Sequence, residues 1–219
     1  MCQAVPTHGL KHALLERLVH YYHFVGQQIE DGVGTTVTSN QIAELVHTDA
    51  TLVRKDLAAI GVRGHPRVGF RSAEVLSAIR DLLGFDERYR AAILGVGRLG
   101  SAMASYRGFA RYGLDICALV DCDPAKVGLL WGSHVVLPME RLADVVRGHD
   151  ISVAILTVPA DAAQAAADQA VGVGIKAIWN FASTRLEVPD NVFVRHEHIS
   201  VGLAEVSYHL RQKTGGRNV

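Results

Sequence analysis

The chain has 219 residues, of which 49% are hydrophobic and 20% are charged, and its formal net charge is zero. This composition is typical of one or two globular domains and excludes a largely disordered chain. No apolar run reaches the roughly 18 residues of a membrane-spanning helix, and residues 1–9 lack the features of a signal peptide. We therefore expect a cytoplasmic protein without membrane contact.

The cysteines and histidines point to neither a disulfide framework nor a metal site. Cys2, Cys117 and Cys122 are odd in number and form no pair at ligand spacing. The eleven histidines are scattered, and none has the spacing of a zinc motif. We predict that no metal is bound.

The first third of the chain has the pattern of a helix-turn-helix. Apolar residues recur every three to four positions over residues 10–29, which predicts a long amphipathic helix. A capping box from Thr38 to Gln41 predicts the start of a short second helix. Thr48 or Asp49 is expected to cap a third helix over residues 50–60, and this succession is typical of helix-turn-helix units.

One side of the third helix carries Thr51, Arg54 and Lys55, which we predict to face DNA. In a helix-turn-helix this helix enters the major groove with its N-terminal half. Arg54 can bind guanine or phosphate through two N–H groups, whereas Lys55 acts as a mobile point charge. A plain three-helix packing unit with a charged face is the alternative that this pattern leaves open.

Residues 61–70 predict a β-hairpin wing after the third helix, because they are too rich in glycine and proline for a helix. Basic side chains on such a wing can enter the minor groove of DNA. Its candidate DNA-binding residues are Arg63, His65 and Arg67. Ser72 is expected to cap a fourth helix that ends at Gly84.

Residues 91–121 have the order strand, glycine turn, helix, strand and acid, with the helix predicted over residues 101–111. The turn has the dinucleotide-binding spacing and consists of Gly95, Val96, Gly97, Arg98, Leu99 and Gly100. Its glycines permit a tight turn, close approach of a pyrophosphate and close helix packing, and the helix N-terminus attracts phosphate. Asp121 is placed to accept hydrogen bonds from an adenosine ribose and to repel a 2′-phosphate, which favours NAD(H) over NADP(H).

Strands and helices alternate beyond Asp121, which predicts a doubly wound parallel sheet. Strands are expected at 116–120, 134–137, 151–158 and 175–179, helices at 138–146 and 160–171, and a loop at 126–132. Ligands bind beyond the carboxyl ends of such strands, where Thr157, Val158, Pro159 and Asn180 lie. A last helix over residues 200–213 is apolar on more than one stripe, which indicates either burial against a second subunit or docking on its own sheet.

Two alternative functions remain open at this point. A dehydrogenase would need a general acid or base and a substrate pocket, but no His-Asp or Lys-Tyr arrangement stands out. A DNA-binding protein could instead sense another nucleotide, such as coenzyme A or ADP, since the glycine loop alone does not distinguish these ligands.

The combination of motifs resembles the Rex family of bacterial redox-sensing transcriptional repressors. The resemblance covers most of the chain and rests on segments 51–57 (TLVRKDL), 67–70 (RVGF), 95–100 (GVGRLG), 121–128 (DCDPAKVG), 155–160 (ILTVPA) and 180–182 (NFA). It implies a homodimer that binds a palindromic double-stranded DNA operator when NADH is scarce and is released by NADH. An apolar pocket would favour NADH over NAD⁺, because burial penalises the oxidised ring's charge.

The resemblance also implies roles for individual parts of the chain. The terminal helix is expected to swap onto the partner subunit, Tyr106 to lie near the nicotinamide, and Arg17 to lie at the contact between domains. The chain departs from the family pattern at three places. These are the wing residues His65 and Pro66, the loop residue Arg98, and His198, where many members carry an aspartate. The expected organisation is a winged-helix domain at 1–84, a Rossmann domain at 85–199 and a swapped helix and tail at 200–219.

Overall fold

The structure is a computed structural model that describes residues 12–214, so the predicted start of the first helix at residue 10 and Cys2 lie outside the described residues. The chain divides into two compact units, with the boundary between Glu87 and Arg88. Within residues 12–214, no helix is both long enough and apolar enough to cross a membrane.

From residue 12 onward, the first unit contains four helices and one small sheet. Its elements are α1 (His12–Glu30), β1 (Thr36–Val37), α2 (Ser39–Leu45), α3 (Ala50–Ala59), β2 (Phe70–Arg71) and α4 (Ser72–Leu83). Every helix contributes to one apolar core, with Leu18, Ile42, Leu57 and Ile79 fully buried. Helices α2 and α3 and the turn between them form the predicted helix-turn-helix.

Local hydrogen bonds at the helix ends confirm the predicted caps of α2 and α3. The Gln41 N–H donates to Thr38 Oγ1 at 3.2 Å, and the Thr38 N–H donates to Gln41 Oε1 at 2.8 Å. Asp49, rather than Thr48, caps α3, because its carboxylate accepts from the Thr51 N–H at 2.6 Å. Gly84 ends α4 in the left-handed conformation, at φ 69°.

Two predictions for the wing region are wrong in detail. Residues 61–70 do not form a self-contained hairpin, since β2 pairs antiparallel with β1, which precedes α2. Within the segment only a single bridge joins His65 to Gly69. Ser72 does not cap α4: it is the first helical residue, and its buried hydroxyl has no hydrogen-bond partner among the described residues.

The second unit is built on a seven-stranded sheet with the order β5-β6-β4-β3-β7-β8-β9, in which only the edge strand β5 runs antiparallel. The strands are β3 (Tyr89–Leu94), β4 (Leu114–Asp121), β5 (Leu130–Trp131), β6 (His134–Pro138), β7 (Val153–Leu156), β8 (Ala177–Asn180) and β9 (Phe193–His196). The helices are α5 (Arg98–Ala104), α6 (Leu142–His149), α7 (Ala163–Gly172) and α8 (Ile199–Thr214). A 3₁₀ helix spans Arg107–Tyr112, and another spans Met139–Arg141.

Helices cover both faces of this sheet, as in a doubly wound fold. One face packs against α6 and α7 in a core that includes Leu94, Leu156 and Ala167. The other packs against α5 and the first 3₁₀ helix in a core that includes Ile93 and Met103. The predicted fold class, a winged helix followed by a Rossmann sheet and a terminal helix, is therefore confirmed.

Several predicted elements of the second unit differ from those observed. The helix expected over residues 101–111 is a seven-residue α5 followed by a 3₁₀ helix. The loop expected over 126–132 contains β5, and β9 was not predicted at all. The remaining helix and strand boundaries move by a few residues.

Candidate functional site

The glycine loop lies between β3 and α5, and its three glycines have different surroundings. Gly95 has φ 96°, and a Cβ atom there would lie 2.6 Å from Val158 Cγ1. A Cβ atom at Gly100 would overlap the carbonyl oxygen of Gly95, so these two glycines permit close packing of the backbone. Gly97, by contrast, has no atom within 4 Å of its Cβ position, which leaves space for a ligand to approach the loop.

Hydrogen bonds tie the ends of neighbouring strands to this loop. The Gly95 N–H donates to the Val120 carbonyl at 2.8 Å, and the Thr157 hydroxyl donates to the Gly95 carbonyl at 2.6 Å. Farther along the edge, the Phe181 N–H donates to the Leu156 carbonyl at 2.9 Å. The carboxyl ends of the parallel strands therefore bring together the glycine loop, Asp121, residues 157–159 and Asn180. The sequence predicted this arrangement for a nucleotide site.

Asp121, at the end of β4, is only 5% exposed and is surrounded by donors. Its Oδ2 accepts from the Val96 N–H at 2.6 Å and from Lys126 Nζ at 3.0 Å, while its Oδ1 accepts from the Asp123 N–H at 2.9 Å. Burial acts to raise the pKa of Asp121, but these three donors outweigh it and leave the pKa below its ordinary value. The carboxylate therefore stays ionised and fixes the position of the glycine loop.

Lys126 belongs to the segment 121–128 that carries the family resemblance, but it is not among the candidate site residues predicted from the sequence. Its ammonium group bonds Asp121 and lies 3.8 Å from Asp123 Oδ2, and the pKa of Lys126 is raised by the hydrogen bond to Asp121. A lysine five positions after the acid gives no periodic signal, because a turn rather than a helix or strand brings the two together.

Asn180 ends β8, whereas Tyr106 precedes the 3₁₀ helix that follows α5. The Asn180 side chain is fully buried, where it accepts from the Ala182 N–H at 2.9 Å and donates to the Thr184 carbonyl at 2.9 Å. It thus holds the chain that follows β8. Tyr106 is 58% exposed, and its ring packs edge-on against Phe109 with the centroids 4.9 Å apart.

The predicted DNA-facing residues of the first unit are exposed together on α3. Arg54 is held in place, because its guanidinium donates to Thr51 Oγ1 at 3.0 Å and to Ser39 Oγ at 3.1 Å. The sequence did not predict that Ser39, at the start of α2, helps to orient Arg54. Lys55 is exposed beside Arg54, so the first half of α3 presents two cations and a hydroxyl.

The wing side chains Arg63, His65 and Arg67 are all exposed. A tight turn fixes the wing tip, in which the His65 N–H donates to the Gly69 carbonyl at 2.7 Å and the Gly69 N–H returns to the His65 carbonyl at 3.0 Å. Arg67 adopts a left-handed conformation at φ 65°, which is uncommon for a residue with a Cβ atom. These side chains and those of α3 belong to one unit, and the nucleotide-site residues belong to the other.

A buried acid joins α3 to α1 inside the first unit. Arg17 donates to both carboxylate oxygens of Asp56, at 2.7 and 2.9 Å, and the Tyr21 hydroxyl donates to Asp56 at 2.8 Å. Burial and then the bond to Asp56 raise the pKa of Tyr21, and the same carboxylate raises the pKa of Arg17. Arg17, which the family resemblance placed at a domain contact, thus has its partner within its own unit.

Comparisons with known proteins match both units. Residues 12–58 match the family described as putative DNA-binding protein N-terminus, and residues 86–184 match the CoA binding domain family. Redox-sensing transcriptional repressor Rex of Treponema denticola is 37% identical over 91% of this chain and 94% of its own length. That of Syntrophomonas wolfei is 39% identical over 90% and 94%. The chain belongs to the Rex family.

Solved Rex-family structures agree with this assignment. The crystal structure of RSP, a Rex-family repressor, superposes with a TM-score of 0.85 at 31% identity, over 94% of this chain and 96% of that one. A second structure, of RSP in complex with β-NAD⁺ and operator DNA, gives a TM-score of 0.86 and covers 96% and 99%. A third structure contains RSP with β-NADH, so that Rex-family protein is seen with both redox forms of the nicotinamide cofactor.

Proposed function

We propose that this chain is a redox-sensing transcriptional repressor. As a homodimer it binds a palindromic operator when NADH is scarce, and NADH binding releases it from the DNA. One combination of features carries the proposal. This chain, a member of the Rex family, has both an exposed basic helix, α3, and a glycine loop that is held by the buried acid Asp121. The curated relatives are named as repressors rather than as enzymes, which weighs against the dehydrogenase alternative.

The first unit supplies the DNA contacts in this proposal. Arg54, oriented by Thr51 and Ser39, addresses a guanine edge or a phosphate, and Lys55 binds a phosphate. The wing residues Arg63, His65 and Arg67 approach the minor groove. In a dimer the two α3 helices reach successive major grooves when they are about 34–36 Å apart, or a multiple of that distance.

The second unit supplies the cofactor contacts. The space over Gly97 and the N–H groups at the start of α5 suit a pyrophosphate, and Asp121 suits a ribose hydroxyl. The other proposed cofactor-binding residues are Val96, Arg98, Leu99, Tyr106, Thr157, Val158, Pro159 and Asn180. Bound NAD(H) supplies the redox signal through the charge of its nicotinamide ring, and no chemical step on the protein is needed.

Coupling between the two units requires a difference in affinity. A ligand shifts a conformational equilibrium only by the ratio of its affinities for the two states. NADH must favour the state that does not bind DNA by about 2–4 kcal/mol to change operator occupancy substantially.

We further propose that the chain has three parts, namely a winged-helix domain at 1–84, a Rossmann domain at 85–199 and a swapped helix and tail at 200–219. We also propose a cytoplasmic location.

A DNA mobility-shift assay on palindromic operators, titrated with NADH and separately with NAD⁺, tests this function. We expect NADH to release the DNA at lower concentrations than NAD⁺. Arg54→Met should abolish the shift while leaving NADH binding unchanged, and Lys176→Met, which removes an exposed cation from the other unit, should leave the shift intact. Equal release by both ligands contradicts redox sensing, and failure to bind any palindrome contradicts the repressor function.

Coenzyme A is a second candidate ligand, because residues 86–184 match a family described as CoA-binding. Competition between NADH and coenzyme A for the same protein separates the two possibilities. If NADH is the ligand, coenzyme A does not displace it, and Asp121→Ala weakens NADH binding. If coenzyme A releases the operator and NADH does not, the nucleotide-sensing assignment changes while the repressor function stands.

A further inference from the structure

Lys126 changes the electrostatics of the acid that is expected to select NAD(H). The carboxylates of Asp121 and Asp123 and the ammonium of Lys126 form one connected group with a formal charge of −1 in total. Asp121 alone would repel a 2′-phosphate, but the ammonium group next to it attracts one. Discrimination at this position therefore depends on the lysine as well as on the acid.

The hydrogen bonds of Asp121 limit what the carboxylate can still accept. A carboxylate offers about four lone-pair sites. On Asp121, Oδ2 already accepts from Val96 and Lys126, and Oδ1 accepts from Asp123. One site on Oδ1 remains, so Asp121 can accept one ribose hydroxyl while the bridge to Lys126 is intact. The second hydroxyl, or a 2′-phosphate, would then face the Lys126 ammonium, which has two protons left beside its bond to Asp121.

The turn that carries Lys126 is fixed at both ends. Asp123 Oδ1 accepts from the Ala125 N–H at 2.9 Å, and the Lys126 N–H donates to the Asp123 carbonyl at 3.0 Å. Gly128, at φ 88°, donates its N–H to the Val136 carbonyl of β6 at 2.9 Å. The backbone therefore holds the lysine next to the acid, and Lys126 is only 35% exposed.

We propose that Lys126 is a specificity-determining residue that weakens discrimination against NADPH by neutralising Asp121. This inference rests on the proposed function, since it concerns the adenosine end of the NADH site. It applies to the 2′-position only, so it predicts a change in the NADPH-to-NADH ratio of dissociation constants.

The test is to titrate NADH and NADPH separately against the full chain and its variants, following cofactor fluorescence or heat release. Lys126→Met removes the charge and keeps a straight side chain of similar length. We expect it to raise the NADPH-to-NADH ratio of dissociation constants by about tenfold. Lys126→Arg, which keeps the charge, should leave the ratio within about twofold of the parent.

Two further variants make the result decisive. Asp123→Asn removes a carboxylate from the same turn and should lower the NADPH-to-NADH ratio of dissociation constants. Lys176→Met removes an exposed lysine charge just before the amino end of β8 and should leave that ratio unchanged. An unchanged ratio in Lys126→Met, in a variant that still binds NADH, overturns the inference. Absence of NADH binding by the parent protein overturns the proposed function instead, so the two failures are distinguishable.

Discussion

Two buried carboxylates, Asp56 and Asp121, are each held by several hydrogen-bond donors. Asp56 in α3 accepts from Arg17 and Tyr21, and Asp121 at the end of β4 accepts from two backbone N–H groups and Lys126. A buried carboxylate is tolerated only when donors replace the water it has lost. Asp56 therefore ties α3 to α1, and Asp121 ties the glycine loop to the end of β4 and the turn after it.

Replacing Asp121 with asparagine should make stability less dependent on pH. The pKa of Asp121 lies below its ordinary value of about 3.9, so the folded state favours the ionised carboxylate. That stabilisation is present above about pH 4 and is lost as the pH falls through the lower native pKa. At pH 7 Asp121→Asn should lower the free energy of unfolding by about 1–3 kcal/mol, and the two proteins should converge at lower pH.

Urea denaturation of both proteins at a series of pH values from 7 down to 3 measures this difference. Asp144→Asn is the matched control, because Asp144 on α6 pairs only with exposed arginines, among the contacts of the described residues. We expect that control to differ from the parent by less than about 1 kcal/mol at every pH. A constant gap between Asp121→Asn and the parent over this range contradicts the role given to the Asp121 charge.

Arg17→Met should destabilise the first unit more than the loss of a surface pair does. The Arg17 side chain is 27% exposed and that of Asp56 is 7% exposed, so removing the arginine leaves a buried carboxylate with one donor fewer on each oxygen. We expect a loss of about 2–4 kcal/mol, and about 1 kcal/mol for Tyr21→Phe, by thermal or urea unfolding. Arg71→Met, which breaks an exposed ion pair with Glu74, serves as the control. If it lowers the free energy of unfolding as much as Arg17→Met does, burial of the Asp56 pair is not the cause.

At the level of elements, the wing depends on one glycine. Gly69 has φ 95°, and a Cβ atom there would lie 2.5 Å from the Val37 carbonyl oxygen of β1. Gly69→Ala therefore combines backbone strain with a clash, and the pairing of β1 with β2 has to shift. We expect it to cost more than about 2 kcal/mol of unfolding free energy and to weaken operator binding.

Gly61→Ala separates the two causes at Gly69. Gly61 also has a positive φ, 83°, but its Cβ position has no atom within 4 Å. Strain alone predicts a loss of about 1–2 kcal/mol at Gly61, clearly less than at Gly69. Calorimetric unfolding of the two variants measures the difference. Equal losses would show that the contact with Val37 is unimportant.

Most features that depend on residues a few positions apart are predicted correctly, the Ser72 cap excepted, whereas features that depend on distant contacts are missed. The capping box at Thr38 and the glycine loop at 95–100 involve residues a few positions apart, so the sequence shows them directly. The short length of α5 and the extra strand β9 depend on how the chain packs against the rest of the sheet. The same limit hid Lys126, whose contact with Asp121 depends on the turn that Gly128 anchors to β6.

For the molecule as a whole, the terminal helix is the feature that a single chain leaves unexplained. α8 exposes large apolar side chains along its length, namely Ile199, Val201, Leu203, Val206, Tyr208 and Leu210. A stable helix in water normally buries one such stripe. The proposed homodimer accounts for this surface, because the helix of each subunit would then be covered by its partner.

Charged substitutions on α8 should therefore separate the subunits. Leu203 and Leu210 lie two helical turns apart and are 66% and 60% exposed, so Leu203→Glu with Leu210→Glu removes apolar contact without disturbing a core of the single chain. We expect light scattering after size exclusion to change from dimer to monomer. Operator affinity should fall by at least about 100-fold, because a monomer reads only one half-site.

The control for this prediction is Glu205→Gln, an exposed change of charge on the same helix, which should leave the protein dimeric. Far-ultraviolet circular dichroism of the double variant should lose at most the signal of α8, since no α8 residue belongs to a core of its own chain among the described residues. NADH binding by the monomer would show that the residues of one subunit suffice for the cofactor. A double variant that stays dimeric and retains operator affinity would instead place the subunit interface elsewhere and leave the apolar surface of α8 without a role in assembly.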